Sequence, residues 1–176
     1  MKRYKHNLSH FRNTSCNMGK IVPIAACEVV RGDTFKHNSN LFLRLSPLLN
    51  PVMHPVHVYV QHIFVPYRLL WDKWEDFITG GEDFDDASVV PTIDFSGSPV
   101  AAGDLANHLG LPVGFAGTAN AFTFRALALY YNEFLRDDQL QDEVGFSTDS
   151  GADTTTNTSL LNCNWNKDPF VTARRS

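Results

Sequence analysis

PVMHPVHVYVQHIFVPYRLLWDKWEDFITGG, residues 51–81, decides how the rest of the chain is read. Its first half, residues 56–65, is rich in β-branched and aromatic side chains: Val58, Tyr59, Val60, Ile63 and Phe64. Such residues favour a pleated, packed strand. Pro55 and Pro66 bracket the run, as a strand requires, because proline has no N–H to give to a ladder. The period then changes. Trp71, Trp74, Phe77 and Ile78 recur at helical spacing, Asp72 with Glu75 spells a capping box, and Gly80-Gly81 predicts the stop. A strand feeding a short aromatic helix is a scaffold feature, and it contains no nucleophile elbow, phosphate loop or metal cage.

The 176 residues are enough for one domain with a core or for a sizeable piece of a larger one. Apolar residues make up 43% and charged residues only 19%, with 13 phenylalanines. A chain so short of surface charge is expected to hide part of its exterior against other chains. The net charge of −4 excludes a uniformly cationic surface, but the charge is polarised. Lys2, Arg3, Lys5, Arg12 and Lys20 all precede the first acid, Glu28, whereas Lys73 is the only cation between Asp72 and Asp104. Opposite poles suit head-to-tail association or an inward-facing basic arm. Cys16, Cys27 and Cys163 form neither a CxxC pair nor a disulfide framework. No secretory h-region or bilayer-length apolar run is present.

Outward from the centre, residues 1–17 read as an extended arm whose Lys2, Arg3, Lys5 and Arg12 are candidates for contact with a polyanion. Residues 21–30 suggest an edge element broken by Pro23, Arg31-Gly32-Asp33 a turn, and residues 34–45 an alternating strand carrying Phe35. On the other side, an acidic loop leads to a short β piece near residues 89–93. A short helix holding Asp104, Leu105 and Leu109 is closed by Gly110 and Pro112. After a glycine-rich loop over residues 111–118, Asn120 is expected to cap a helix over residues 121–136. Phe124, Leu127, Ala128, Tyr131, Phe134 and Leu135 form its predicted buried stripe, with Arg125, Asn132 and Arg136 facing away. DSGADTTTNTS, residues 149–159, is the most disorder-like stretch.

Catalytic patterns do not emerge. His57 and His62 are an odd number of residues apart and leave opposite faces of one strand, while His54 lies outside it. Ser46 and Asp33 lack a GxSxG elbow, the glycine-rich loop lacks a phosphate motif, and EDFDD lacks the alternation of a calcium loop. No catalytic residue, metal ligand or cofactor is expected.

Several phrases in order carry a resemblance: HNLSHFR at 6–12, NMGKIVPI at 17–24, EVVRGDTFKHN at 28–38, LRLSPLLN followed by the 51–81 block, DLANHLGLP at 104–112, FRALALYYNEFLRDDQL at 124–140 and WNKDPFVTARRS at 165–176. Together they resemble the major capsid proteins of microviruses, small icosahedral single-stranded DNA phages, specifically the gokushovirus branch. The resemblance implies a mainly β fold with inserted helices: part of a viral jelly roll, an antiparallel β-barrel with long helical and loop insertions. The expected layout is a basic arm over 1–27, early barrel strands over 28–70, a helical insertion over 71–143 and a polar loop with a truncated end over 144–176. Phe35, Val58, Val60, Phe64, Trp71, Trp74, Phe77, Phe124, Leu127 and Tyr131 would build the core and assembly scaffold.

Family members continue past the last phrase, with proline where Arg175 stands, so an N-terminal portion is expected. The implied partners are copies of the chain in pentamers and a T=1 shell, packaged single-stranded DNA, and scaffolding and minor capsid proteins, with no membrane. The implied location is the virion capsid, assembled in the bacterial cytoplasm. The rival readings are a ligand- or carbohydrate-binding jelly roll and a cupin-like metalloenzyme.

Overall fold

A computed structural model describes residues 4–164. The chain divides into two units, Cys27–Phe64 and the remainder. In the larger unit a 3₁₀ turn, Tyr67–Leu69, precedes helix α1, Trp74–Thr79. Strand β1, Thr92–Asp94, and helix α2, Leu105–His108, follow. Strand β2, Thr118–Asn120, then leads into helix α3, Phe122–Tyr130, which runs on as a π turn, Tyr131–Leu135.

Strands β1 and β2 pair antiparallel, with Ile93 opposite Ala119. The sequence expectation of β structure near residues 89–93 is met one or two residues later; β2 was not anticipated, since three residues carry too little alternation to read. On its other side β1 receives the polar 144–160 segment. The Thr92 amide donates to the Gly151 carbonyl at 3.0 Å, and the Asp153 amide to the Thr92 carbonyl at 2.8 Å. The stretch expected to be disordered is thus fastened to the sheet, and Asp153 and Thr156 are buried.

Helix α1 ends as anticipated, with Gly80 in the left-handed region at φ 90°. Its start differs. Lys73 occupies the N-cap without a side-chain cap, and Asp72 instead accepts from the Thr148 hydroxyl at 2.9 Å. The capping box does not form because Asp72 is drawn into this longer-range contact. Helix α3 starts one residue later than expected, after Ala121 at the N-cap, with Asn120 Oδ1 accepting the Phe122 amide at 2.8 Å.

Two apolar clusters flank α3. Ile93, Phe95, Val100, Leu105, Ala106, Ala121 and Phe124 make the first, with Leu127 packed at its margin. Leu70, Trp71 and Phe122 centre the second, with Trp74 against them. At roughly 100° of rotation per residue, Phe124 and Phe122 lie on different sides of α3, and Arg125 falls in the arc between them. The expectation that Arg125 faces away is therefore wrong: it is fully buried. Asn132 and Arg136 are also turned inward, to the Val144 and Gln141 carbonyls at 3.0 and 3.1 Å. Phe134, expected in the stripe, is 71% exposed and lies in the π turn, where the helical phase shifts.

Gly145 faces the Thr155 carbonyl so closely that a Cβ would collide with that backbone oxygen. Gly145→Ala is expected to destabilise the larger unit by about 1–3 kcal/mol, the usual range for overpacking. A urea midpoint unchanged from the parent would count against this close approach.

Residues Cys27–Phe64 look different. Arg31 and Gly32 form the expected turn, the Asp33 amide donating to the Val30 carbonyl at 3.1 Å. Neither residues 34–45 nor 56–65 form a strand, and Phe35, Val58, Val60 and Phe64 are exposed. A strand has half its backbone bonds on a neighbour, and no neighbouring strand is present among the described residues of this unit. The fold is thus mostly non-helical, with one small antiparallel sheet and few helices.

Candidate assembly and nucleic-acid surfaces

The scaffold residues separate into two groups. Trp71, Phe124 and Tyr131 are buried in the larger unit, Trp74 is half-buried, and Phe77 is exposed at its rim. Trp71 is placed by a hydrogen bond as well as by packing, its indole N–H donating to Ser150 Oγ at 2.8 Å. Tyr67 stacks on Trp74 with ring centroids 4.4 Å apart and meets Phe122 edge-on at 4.7 Å. Tyr131 donates through its hydroxyl to Gln141 Oε1 at 3.1 Å.

The second group lies in Cys27–Phe64. Val58 is 48% exposed and Phe64 76%, and Phe42, Leu49 and Met53 are more open still. Isolated exposed apolar residues are ordinary; here they follow one another over one short segment.

Sequence reasoning missed the polar centre of the larger unit, for which the only signal was the composition of residues 149–156. Arg125 Nε donates to Asp153 Oδ2 at 2.7 Å, and its two Nη groups donate to the Leu70 and Asp149 carbonyls, each at 2.9 Å. Burial alone would push the Asp153 carboxyl up. The Thr156 hydroxyl and amide, the Arg125 guanidinium and the Thr155 amide outweigh this and hold it below the usual carboxylate value. The arrangement is a satisfied tie between α3, the Leu70 turn and the 144–160 segment, with no open position for a substrate.

Of the candidate arm cations, Lys2 and Arg3 lie outside the described residues, and Lys5 is exposed. Arg12 is spoken for: its Nη1 donates to the Ile24 carbonyl at 2.8 Å and its Nη2 to the Asn107 carbonyl at 3.2 Å. Arg12 is thus held by carbonyl acceptors within reach, while residues 4–17 form no helix or strand. Nearby, residues 19–21 pair with residues 161–163. The Ile21 amide donates to the Leu161 carbonyl at 2.9 Å and the Cys163 amide to the Gly19 carbonyl at 2.8 Å. The pairing is an isolated antiparallel bridge at Lys20 and Asn162, and the edge element expected over residues 21–30 forms no strand.

Among the described residues no three His, Cys, Asp or Glu side chains gather as metal ligands would. His62 meets His37 instead, with ring centroids 4.2 Å apart.

The larger unit packs two apolar clusters, whereas Cys27–Phe64 leaves its large apolar side chains exposed. The chain belongs to a family of phage capsid proteins, described as "Capsid protein (F protein)", whose match covers residues 1–174. It is 33% identical over 153 residues to capsid protein VP1 of Chlamydia phage 1, covering 82% of this chain and 26% of that protein. To capsid protein VP1 of Bdellovibrio phage phiMH2K it is 30% identical over 174 residues, 97% of this chain and 33% of the relative. Capsid protein VP1 of Spiroplasma virus 4 is 28% identical over 152 residues, 84% and 28% of the two chains. These are gokushovirus-type microviruses. The chain thus spans about a quarter to a third of the length of the curated relatives it matches.

Proposed function

We propose that this chain is part of a structural major capsid protein that associates with its own copies into an icosahedral shell around a single-stranded DNA genome, and that it catalyses no reaction. The observation that carries this reading is the uncovered apolar run of Cys27–Phe64, in a chain of capsid family membership. Val56, Val58, Val60 and Phe64 share one parity, so a strand formed there would present them on one face. In this reading residues 28–70 become strands of a jelly-roll barrel once partner strands complete the sheet, and the helical 71–143 region is an insertion outside the barrel. Pentamers and a T=1 shell then multiply a weak edge contact through closed symmetry. Scaffolding and minor capsid proteins are further partners, and assembly takes place in the bacterial cytoplasm before the chain resides in the virion. Lys2, Arg3 and Lys5 are the arm cations assigned to the packaged DNA.

Sedimentation velocity of the chain at rising concentration tests the self-association. The weight-average mass is expected to climb with concentration. A double substitution, Val58→Lys with Val60→Lys, is expected to weaken association by at least about tenfold, because it places two charges on the face to be covered. A parent chain that stays monomeric throughout, or a double variant that associates equally well, defeats the proposal.

A further inference from the structure

The basic arm is fastened to helix α2 by a small set of polar contacts with one titratable member. Arg12 reaches the Asn107 carbonyl at 3.2 Å, and Thr14 Oγ1 lies 3.3 Å from His108 Nδ1 on the next residue of the helix. His108 is almost entirely buried, only 3% exposed. Its backbone amide is engaged by the Asp104 carbonyl at 3.0 Å.

We propose that this contact is an acid-sensitive latch: protonation of His108 releases the arm around Arg12 and Thr14 from α2. A neutral imidazole fits the site, accepting from or donating to the Thr14 hydroxyl according to its tautomer. An imidazolium does not. It would carry charge into a buried place and set it beside the Arg12 guanidinium, two cations without an acid between them.

The surroundings supply only partial compensation. Arg12 is the side-chain charge acting on the ring, and the backbone at Gly103 offsets it only in part. Asp104, one turn earlier on the helix, has its Oδ2 committed to the Ala101 amide at 2.9 Å. Burial first, and then Arg12, lower the His108 pKa below its ordinary value of 6.5.

The sign follows from linkage. Release removes Arg12 and the arm's share of the burial, which raises the His108 value towards 6.5, so attachment is strongest above that value and weakens as pH falls towards the lowered value of the attached state. Each unit of depression shifts the equilibrium towards release by up to about tenfold. Release frees Arg12 from the Ile24 and Asn107 carbonyls.

A nitroxide on Cys16, in the full chain with Cys27→Ser and Cys163→Ser, reports the arm directly. Its spectrum is expected to be immobilised at pH 8 and to gain a mobile component at pH 5.5. His108→Gln, which stays neutral, should abolish the pH response, and Arg12→Ala should be mobile at both pH values. NMR titration of the His108 ring in the parent chain is a second reading that needs no variant at position 108; its midpoint should fall below 6.5 and coincide with the mobility change. A label indifferent to pH, or a His108→Gln chain with the parent's response, overturns the latch. So does a ring that titrates at or above its ordinary value.

Discussion

Arg125→Ala is expected to destabilise the larger unit by about 3–5 kcal/mol, the cost of leaving a buried charge without its partner. Asp153 keeps the Thr155 and Thr156 amides and the Thr156 hydroxyl, but its cation would be gone. The Leu70 and Asp149 carbonyls would lose their donors at the same time, and buried acceptors left unmade add to the loss. Equilibrium unfolding in urea, followed by circular dichroism, measures the effect. Removing the carboxylate as well, with Arg125→Ala and Asp153→Ala together, is expected to recover only part of it, because the two carbonyls remain unsatisfied. Full recovery would mean that the ion pair matters and the ties to Leu70 and Asp149 do not.

Acid should show the same contact from its other side. The Asp153 carboxyl is held below its ordinary value of 3.8 in the folded chain. The stability this confers is fully present above that value and is lost as pH falls through the lower, folded one. A parent chain should therefore lose stability on acidification below about pH 4 more steeply than the Asp153→Asn variant.

The second large effect is expected at Trp71. Truncation to alanine removes a fully buried indole that joins Leu70 and Phe122 at the centre of the second cluster. Phe/Trp→Ala changes in cores cost about 3–5 kcal/mol. The loss should spread beyond the cluster, since the indole N–H also holds Ser150 in the polar segment. Hydrogen exchange at the Gly151 and Asp153 amides, which bond the Val89 and Thr92 carbonyls, reads that spread. Trp71→Phe keeps most of the bulk without the donor and should retain most of the stability while speeding exchange at those amides. Equal exchange in Trp71→Phe and the parent would show that packing alone positions the segment.

These two sites show where reading a sequence succeeds and where it stops. Local signals were legible. Gly80 ends α1, Asn120 stands just before α3 and accepts its Phe122 amide, and Arg31-Gly32 turns. Each depends on a residue and its neighbours within about one helical turn, so backbone sterics and capping decide it. The family, too, was readable from the ordered phrases alone, and its match to residues 1–174 bears that out.

Orientation was not legible. Asp72 has the right spacing for a cap but bonds Thr148, 76 residues away. Arg125 looks solvent-facing by composition, and the DSGADTTT stretch looks disordered, because each lacks its counterpart in a local window. Together they satisfy one another in a buried site.

What the sequence by itself determined is therefore the set of local turns and caps, the charge polarity and the membership of a capsid family, all of which depend on nearby residues or on their order. Tertiary structure alone decided that Arg125 and Asp153 are interior, that Arg12 is tied down, and that residues 56–64 lie exposed without a strand partner. The reason is physical. A charge enters a core only beside its partner, and a strand forms only beside another; both conditions are set by segments far apart in the chain.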